Sequence, residues 1–158
     1  MTDSNNCKQC SAPMKLESIG AVAGEEGVLK ISIVDFPVKT CERGHRQFVS
    51  RDFPMQLLEQ TTNGDKTGLP SGKKRGLLFK KYHCGKCDAP LAAAGVQRPF
   101  GFDVKLADVP QMRIEFTLPV YTCASCGQEQ LRERSEAEEL APAALADAFQ
   151  AAGIKPQA

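Results

Sequence analysis

The chain has 158 residues, 42% of them hydrophobic, and a formal net charge of +1; that length allows one ordinary domain or two small ones. A near-neutral chain has no general attraction for a polyanion, and no stretch reaches the apolar length of a membrane span, so no membrane partner is expected. The polar start MTDSNN does not read as a secretory signal, and a cytoplasmic protein with reduced thiols is the expectation.

In chain order, CKQCSAPM (7–14) comes first, a C-x-x-C turn. A GEEG turn (24–27) follows, and then Leu29, Ile31 and Ile33 alternate with polar residues, the period of a half-buried strand. FPVKTC (36–41) ends a second apolar run at Cys41, with His45 four positions on. DFPMQLLEQ (52–60), with Met55, Leu57 and Leu58, predicts a short helix. TTNGDKTGLPSGKKRG (61–76) has no apolar periodicity and reads as a flexible basic linker. It lacks G-x-x-x-x-G-K-[ST], so it is not a phosphate loop.

After the linker, CGKCDAPL (84–91) repeats the first turn. Phe102, Val104 and Leu106 alternate with polar residues, as do Met112, Ile114, Phe116 and Leu118, with ADVPQ (107–111) as the turn between two strands. LPVYTC (118–123) leads to Cys126. SEAEELAPAALADAFQAAG (135–153) predicts a helix from a Ser135/Glu138 capping box to Gly153. Its apolar stripe is Leu145, Ala148, Phe149 and Ala152, expected to pack on its own module, and Pro142 is expected to break or restart it.

The blocks form an internal repeat. C-x-x-C-[SD]-A-P-[ML] recurs at an offset of 77 and [FL]-P-V-x-T-C at an offset of 82. The expected fold is therefore small α+β and zinc-ribbon-like: two tandem modules, each knuckle, β-hairpin, knuckle and short helix. Residues 1–60 form the first, 61–76 the linker and 77–158 the second. Modules this small bury too little apolar surface to be comfortably stable alone, and a structural zinc ion can supply more than roughly 10 kcal/mol.

Seven cysteines are an odd number that a closed disulfide framework cannot use up, but with His45 they make two sets of four. Cys84, Cys87, Cys123 and Cys126 are two C-x-x-C pairs, the spacing that lets both sulfurs of a tight turn face one ion. This set also suits iron, since rubredoxin-type iron uses the same two pairs. Cys7, Cys10 and Cys41 take His45 as fourth ligand, one position later than Cys126 in the aligned copy. One additional residue in that turn is expected to be spanned by the longer reach of an imidazole. An open three-ligand zinc with Glu42 as general base is the enzymatic alternative; closed four-ligand sites are favoured, and no enzyme is expected. His83, next to Cys84, reads as a strand-end residue.

Seven thiolates and two Zn²⁺ take the net charge to about −2. Residues 61–83 alone are basic, six Lys/Arg against one acid. Lys73, Lys74, Arg75, Lys80 and Lys81 therefore carry the nucleic-acid alternative, contacts to phosphate without aromatic stacking. A thiol redox switch is a third reading, and a protein partner for the surfaces the metals hold in place is the first.

C-x-x-C, a β-hairpin, a [FL]-P-V-x-T-C strand end and a second knuckle together resemble the YgiT-type zinc-finger family, which includes the zinc-binding domain of MqsA-type antitoxins. The resemblance covers residues 7–60 and 84–153. It implies zinc on Cys7, Cys10 and Cys41 in one copy and on Cys84, Cys87, Cys123 and Cys126 in the other, and a protein partner. The first copy departs from it in ending C-x-x-x-H. No residues are left over for the antitoxins' helix-turn-helix domain, so DNA autoregulation does not carry over.

Overall fold

The computed structural model describes residues 5–78 and 81–154. It is a small α+β fold with mostly antiparallel sheets. The second half shows the repeated unit in its simplest form. Strand β8 (Val96–Val104) pairs with β9 (Met112–Thr122) over nine residue pairs, from Val96↔Val120 to Val104↔Met112. The short β10 (Glu129–Gln130) returns antiparallel on the end of β9.

The first half builds the same long hairpin with a break in each arm. β1 (Met14–Ser18) pairs with β4 (Pro37–Cys41), and β2 (Val22–Glu26) with β3 (Leu29–Val34). At the break, Ile19 and Phe36 exchange backbone hydrogen bonds with Phe36 and Gly20 at 3.0 Å each. Gly20 and Asp35 have φ of +79° and +61° there, and glycine takes such a value without strain. β5 (Arg46–Gln47) returns on β4 as β10 does on β9. The GEEG segment is mostly strand: Glu26 pairs with Leu29, which confines the turn to Gly27 and Val28.

The halves are joined by β3 and β9, antiparallel, with Ile33 opposite Ile114 and Ser32 opposite Glu115. Under the 82-residue offset Ser32 is equivalent to Ile114 and Ile33 to Glu115. Each strand thus meets its equivalent under that offset about a local two-fold axis, as the copies do in a symmetric dimer. Ile33 and Ile114 are both fully buried at this seam.

Helix α1 (Phe53–Thr62) carries Pro54 in its first turn, where a missing N–H costs nothing. It buries Phe53 and Leu57. Helix α2 (Ser135–Ala151) packs on β2 and β3, the hairpin of the first half and not that of its own. The contact is close because β2 presents Gly24, with no side chain, to the backbone of Ala144 and Ala148. Ala141, Ala144, Leu145 and Ala148 are buried, and Phe149 stacks edge-on against Phe48 at 4.9 Å. One buried cluster therefore draws on both halves, from Val22 to Ile154.

Two helix expectations are corrected. The capping box does not form: α2 begins after Arg134, and the Ser135 hydroxyl donates to Glu133 at 3.4 Å. Pro142 does not break α2: it lies inside the helix on its exposed face, where a lost backbone hydrogen bond is open to solvation and costs less than in the core.

The segment 61–76 is not structureless along its length. It holds the end of α1 and strand β6 (Lys73–Arg75), which pairs with β7 (Lys81–His83). Tyr82 anchors this hairpin: Arg132 lies over its ring at 5.0 Å and its hydroxyl donates to Glu133 at 3.3 Å. Polar, glycine-rich composition gave no apolar period here, and the pairing is carried by the backbone and these side chains instead.

Candidate metal centres

Each half brings two turns together at one end of its hairpin. Three of the four turns share one geometry. The leading cysteine's N–H donates to the carbonyl five residues on: Cys7 to Ala12 (2.7 Å), Cys84 to Ala89 (2.7 Å) and Cys123 to Gln128 (2.9 Å). The residue four on turns left-handed and donates back to the cysteine carbonyl: Ser11 (φ +61°), Asp88 (φ +66°) and Gly127 (φ +77°). The fourth turn is one residue shorter. Cys41 N–H donates to His45 itself, at 3.2 Å, and Gly44 (φ +82°) takes the left-handed position. The turn thus holds no additional residue: His45 closes it and its ring reaches back.

All eight candidate ligands converge in two groups, Cys7, Cys10, Cys41 and His45, and Cys84, Cys87, Cys123 and Cys126, their ligand atoms within 4.8 Å of one another. Each group can hold a metal ion. All seven cysteines are free thiols. Four sulfurs around zinc, at about 2.3 Å each, stand about 3.8 Å apart along the tetrahedron's edges, and a sulfur and a nitrogen about 3.5 Å apart. Here Cys10 and Cys41 sulfurs are 3.8 Å apart, Cys84 and Cys126 3.6 Å, and Cys87 and Cys123 3.5 Å. His45 Nδ1 lies 3.4 Å from the Cys7 sulfur and 3.5 Å from that of Cys41. The donor sets fit a tetrahedral ion.

The electrostatics divide each group. At Cys84 the Gln130 amide donates to the sulfur, and backbone N–H groups in the knuckle add to it, holding the thiol down at about 6. Burial resists ionisation of Cys41, but the N–H groups of His45 and Arg43 outweigh it and bring that thiol to about 7. The Ala89 N–H favours the Cys87 thiolate, yet the sulfurs of Cys123, Cys126 and Cys84 push it up to about 12. Cys10 is raised despite the Ala12 N–H, by burial and by its sulfur neighbours. Crowded sulfurs resist ionising together, and a cation among them would offset that repulsion.

Burial places both groups at the edge of the fold: Cys7, Cys41, Cys84 and Cys123 are buried, whereas Cys87 and Cys126 are exposed. His83 stands outside the second group, its Nδ1 3.0 Å from the Asp88 carbonyl. Glu42 is exposed. Of the basic run, Lys74 pairs with Glu133 at 3.5 Å and Arg75 with Asp88 at 2.9 Å, Lys73 and Lys81 are exposed, and Lys80 lies outside the described residues.

Two contributors carry no motif. Gln130 is fully buried beside Cys84. Arg46, next to His45, donates to the carbonyl of Ala152 at 2.8 Å, tying the first centre to the end of α2. A glutamine four positions after the last cysteine and an arginine after the histidine are the only marks they leave in the sequence. No helix among the described residues is long and apolar enough to cross a membrane. Comparison with family models, curated proteins and solved structures gives no match to the chain.

Proposed function

We propose that the protein is a non-enzymatic zinc-binding protein with two structural zinc ions, one on Cys7, Cys10, Cys41 and His45 and one on Cys84, Cys87, Cys123 and Cys126, whose surfaces bind another protein. The observation that carries this reading is the pair of ligand groups whose separations, 3.4 to 3.8 Å, are the edges of a zinc tetrahedron. Four protein ligands leave no open position for a reacting water, which is the mark of a structural site. Zinc is favoured over iron because the first set includes an imidazole nitrogen and both fit one tetrahedral chemistry. The resemblance to YgiT-type zinc fingers belongs to this reading and rests on the motifs.

Support for a protein partner comes from the β6–β7 hairpin. Leu77 and Leu78 there are 100% and 91% exposed, beside a strand whose Lys74 and Arg75 are already engaged by acids of the same chain. Apolar side chains held out on a hairpin fit a protein surface better than a phosphate backbone.

The test is metal removal. A strong chelator added to the zinc-loaded protein is expected to collapse its far-UV circular dichroism and its urea resistance, and added zinc to restore both. Folding unaffected by complete zinc removal would overturn the structural role. Salt-sensitive retention on heparin, lost in Lys73→Ala/Lys74→Ala/Arg75→Ala, would replace the protein partner with nucleic acid.

A further inference from the structure

The two centres differ in what surrounds them. Four thiolates on Zn²⁺ leave a net charge of −2, whereas three thiolates and an imidazole leave −1. The all-cysteine centre places Cys84, with no exposed surface, against the core. A buried thiolate needs hydrogen-bond donors, since charge taken out of water is otherwise strongly disfavoured. One donor is shared by both halves: the N–H two residues on, from Gln9 to Cys7 and from Lys86 to Cys84, at 3.4 Å in each case.

Cys84 adds a side-chain donor to backbone N–H groups of the kind that also reach Cys41 and Cys123. Gln130, the one buried polar side chain among the described residues, gives its Nε2 hydrogens to the Cys84 sulfur at 3.2 Å and to the Gln128 carbonyl at 3.3 Å. Its Oε1 accepts the Gly85 N–H at 2.8 Å. The amide thereby joins the second knuckle's strand to the first knuckle's turn and leaves none of its hydrogen-bonding groups idle.

The repeat supplies an internal comparison. Gln130 pairs with Tyr121 in β9, and at the equivalent register Gln47 pairs with Lys39 in β4. The residue type is the same, but Gln47 is half-buried and makes no counterpart bond to Cys7 among the described residues. The shorter knuckle that ends at His45 serves a centre with less negative charge to neutralise.

We propose that Gln130 is a metal-positioning residue of the all-cysteine centre: it fixes the Cys84 sulfur and draws charge from it, so that metal affinity there depends on this amide while the Cys₃His centre is indifferent to its own equivalent glutamine. The proposal rests on the zinc reading above.

The test uses the full chain with Co²⁺, whose S₄ and S₃N complexes absorb differently, and with Zn²⁺ under chelator competition. Gln130→Glu keeps an acceptor for the Gly85 N–H but loses the donor and sets a carboxylate beside the thiolate. It is expected to lower affinity at the S₄ centre roughly 10- to 100-fold and to move its sulfur-to-cobalt band to lower energy, leaving the S₃N centre unchanged. Gln130→Leu is expected to shift the band the same way, and Gln47→Leu to alter neither centre. An S₄ centre of unchanged affinity and spectrum in Gln130→Glu would overturn the role of Gln130 alone. Failure of the unaltered protein to take up either metal would overturn the zinc reading together with it.

Discussion

Gly24→Ala tests whether α2 of the second half is built onto the hairpin of the first. An added Cβ would meet the Ala148 Cα at 2.9 Å and overlap the Ala144 carbonyl oxygen and the Ala148 nitrogen, all of them backbone atoms that have no rotamer to change. Carbon atoms rest at about 3.5 to 4.0 Å, so α2 must retreat by roughly 0.6 Å or more. A gap of that size forfeits about a quarter to a half of the dispersion energy across the contact. Overpacking of this kind costs about 1 to 3 kcal/mol, against which the reduced freedom of the unfolded chain returns about 0.4 to 1. The net expectation is a loss of about 1 to 2 kcal/mol in urea unfolding of the zinc-loaded protein. Gly101→Ala is the matched control: its Cβ meets only the half-exposed Arg113 guanidinium, which can swing away. Stability in Gly24→Ala equal to that of the unaltered protein, or an equal loss in Gly101→Ala, would refute the reasoning.

Ile33→Ala and Ile114→Ala each remove a fully buried side chain at the seam and should cost about 2 to 4 kcal/mol by the same assay. Because the two face each other, the double variant should depart from additivity by more than about 0.5 kcal/mol; strict additivity would argue against a shared seam. Arg46→Met removes the charged donor to the Ala152 carbonyl and should lower stability by about 1 kcal/mol, read as faster amide exchange in the last turn of α2. Zinc affinity should weaken with acid. Each ligand thiol must lose its proton to bind, so Cys87, held up at about 12, opposes binding across this whole range, and Cys41 and Cys84 join it as pH falls through about 7 and about 6. Chelator competition at pH 8, 7 and 6 checks this, and an affinity independent of pH would contradict it.

The candidate ligand groups were legible because C-x-x-C is a local geometry: the turn closes within six residues whatever the rest of the chain does. The strands were legible for a similar reason, since Met112, Ile114 and Phe116 alternate strictly and are buried as that alternation requires. What the pattern did not contain was the partner of each edge. Alternation shows which face of β3 is buried, not that its free edge meets β9, and a repeat shows likeness without showing contact. Packing of α2 was hidden for the same reason, because small residues such as Ala141, Ala144 and Ala148 gain meaning only beside Gly24. His45 was found by counting ligands, whereas the shortness of its turn needed the backbone. Gln130 was missed because a buried amide carries no spacing rule.

The central claim is two tetrahedral zinc ions held by eight named side chains, and the most direct test is the metal content of the purified chain by mass spectrometry. Two zinc ions per chain are predicted, falling toward one in His45→Ala and, independently, in Cys126→Ala. A count that stays at two in His45→Ala would remove His45 from the first centre, and a chain purified without metal would contradict the account as a whole.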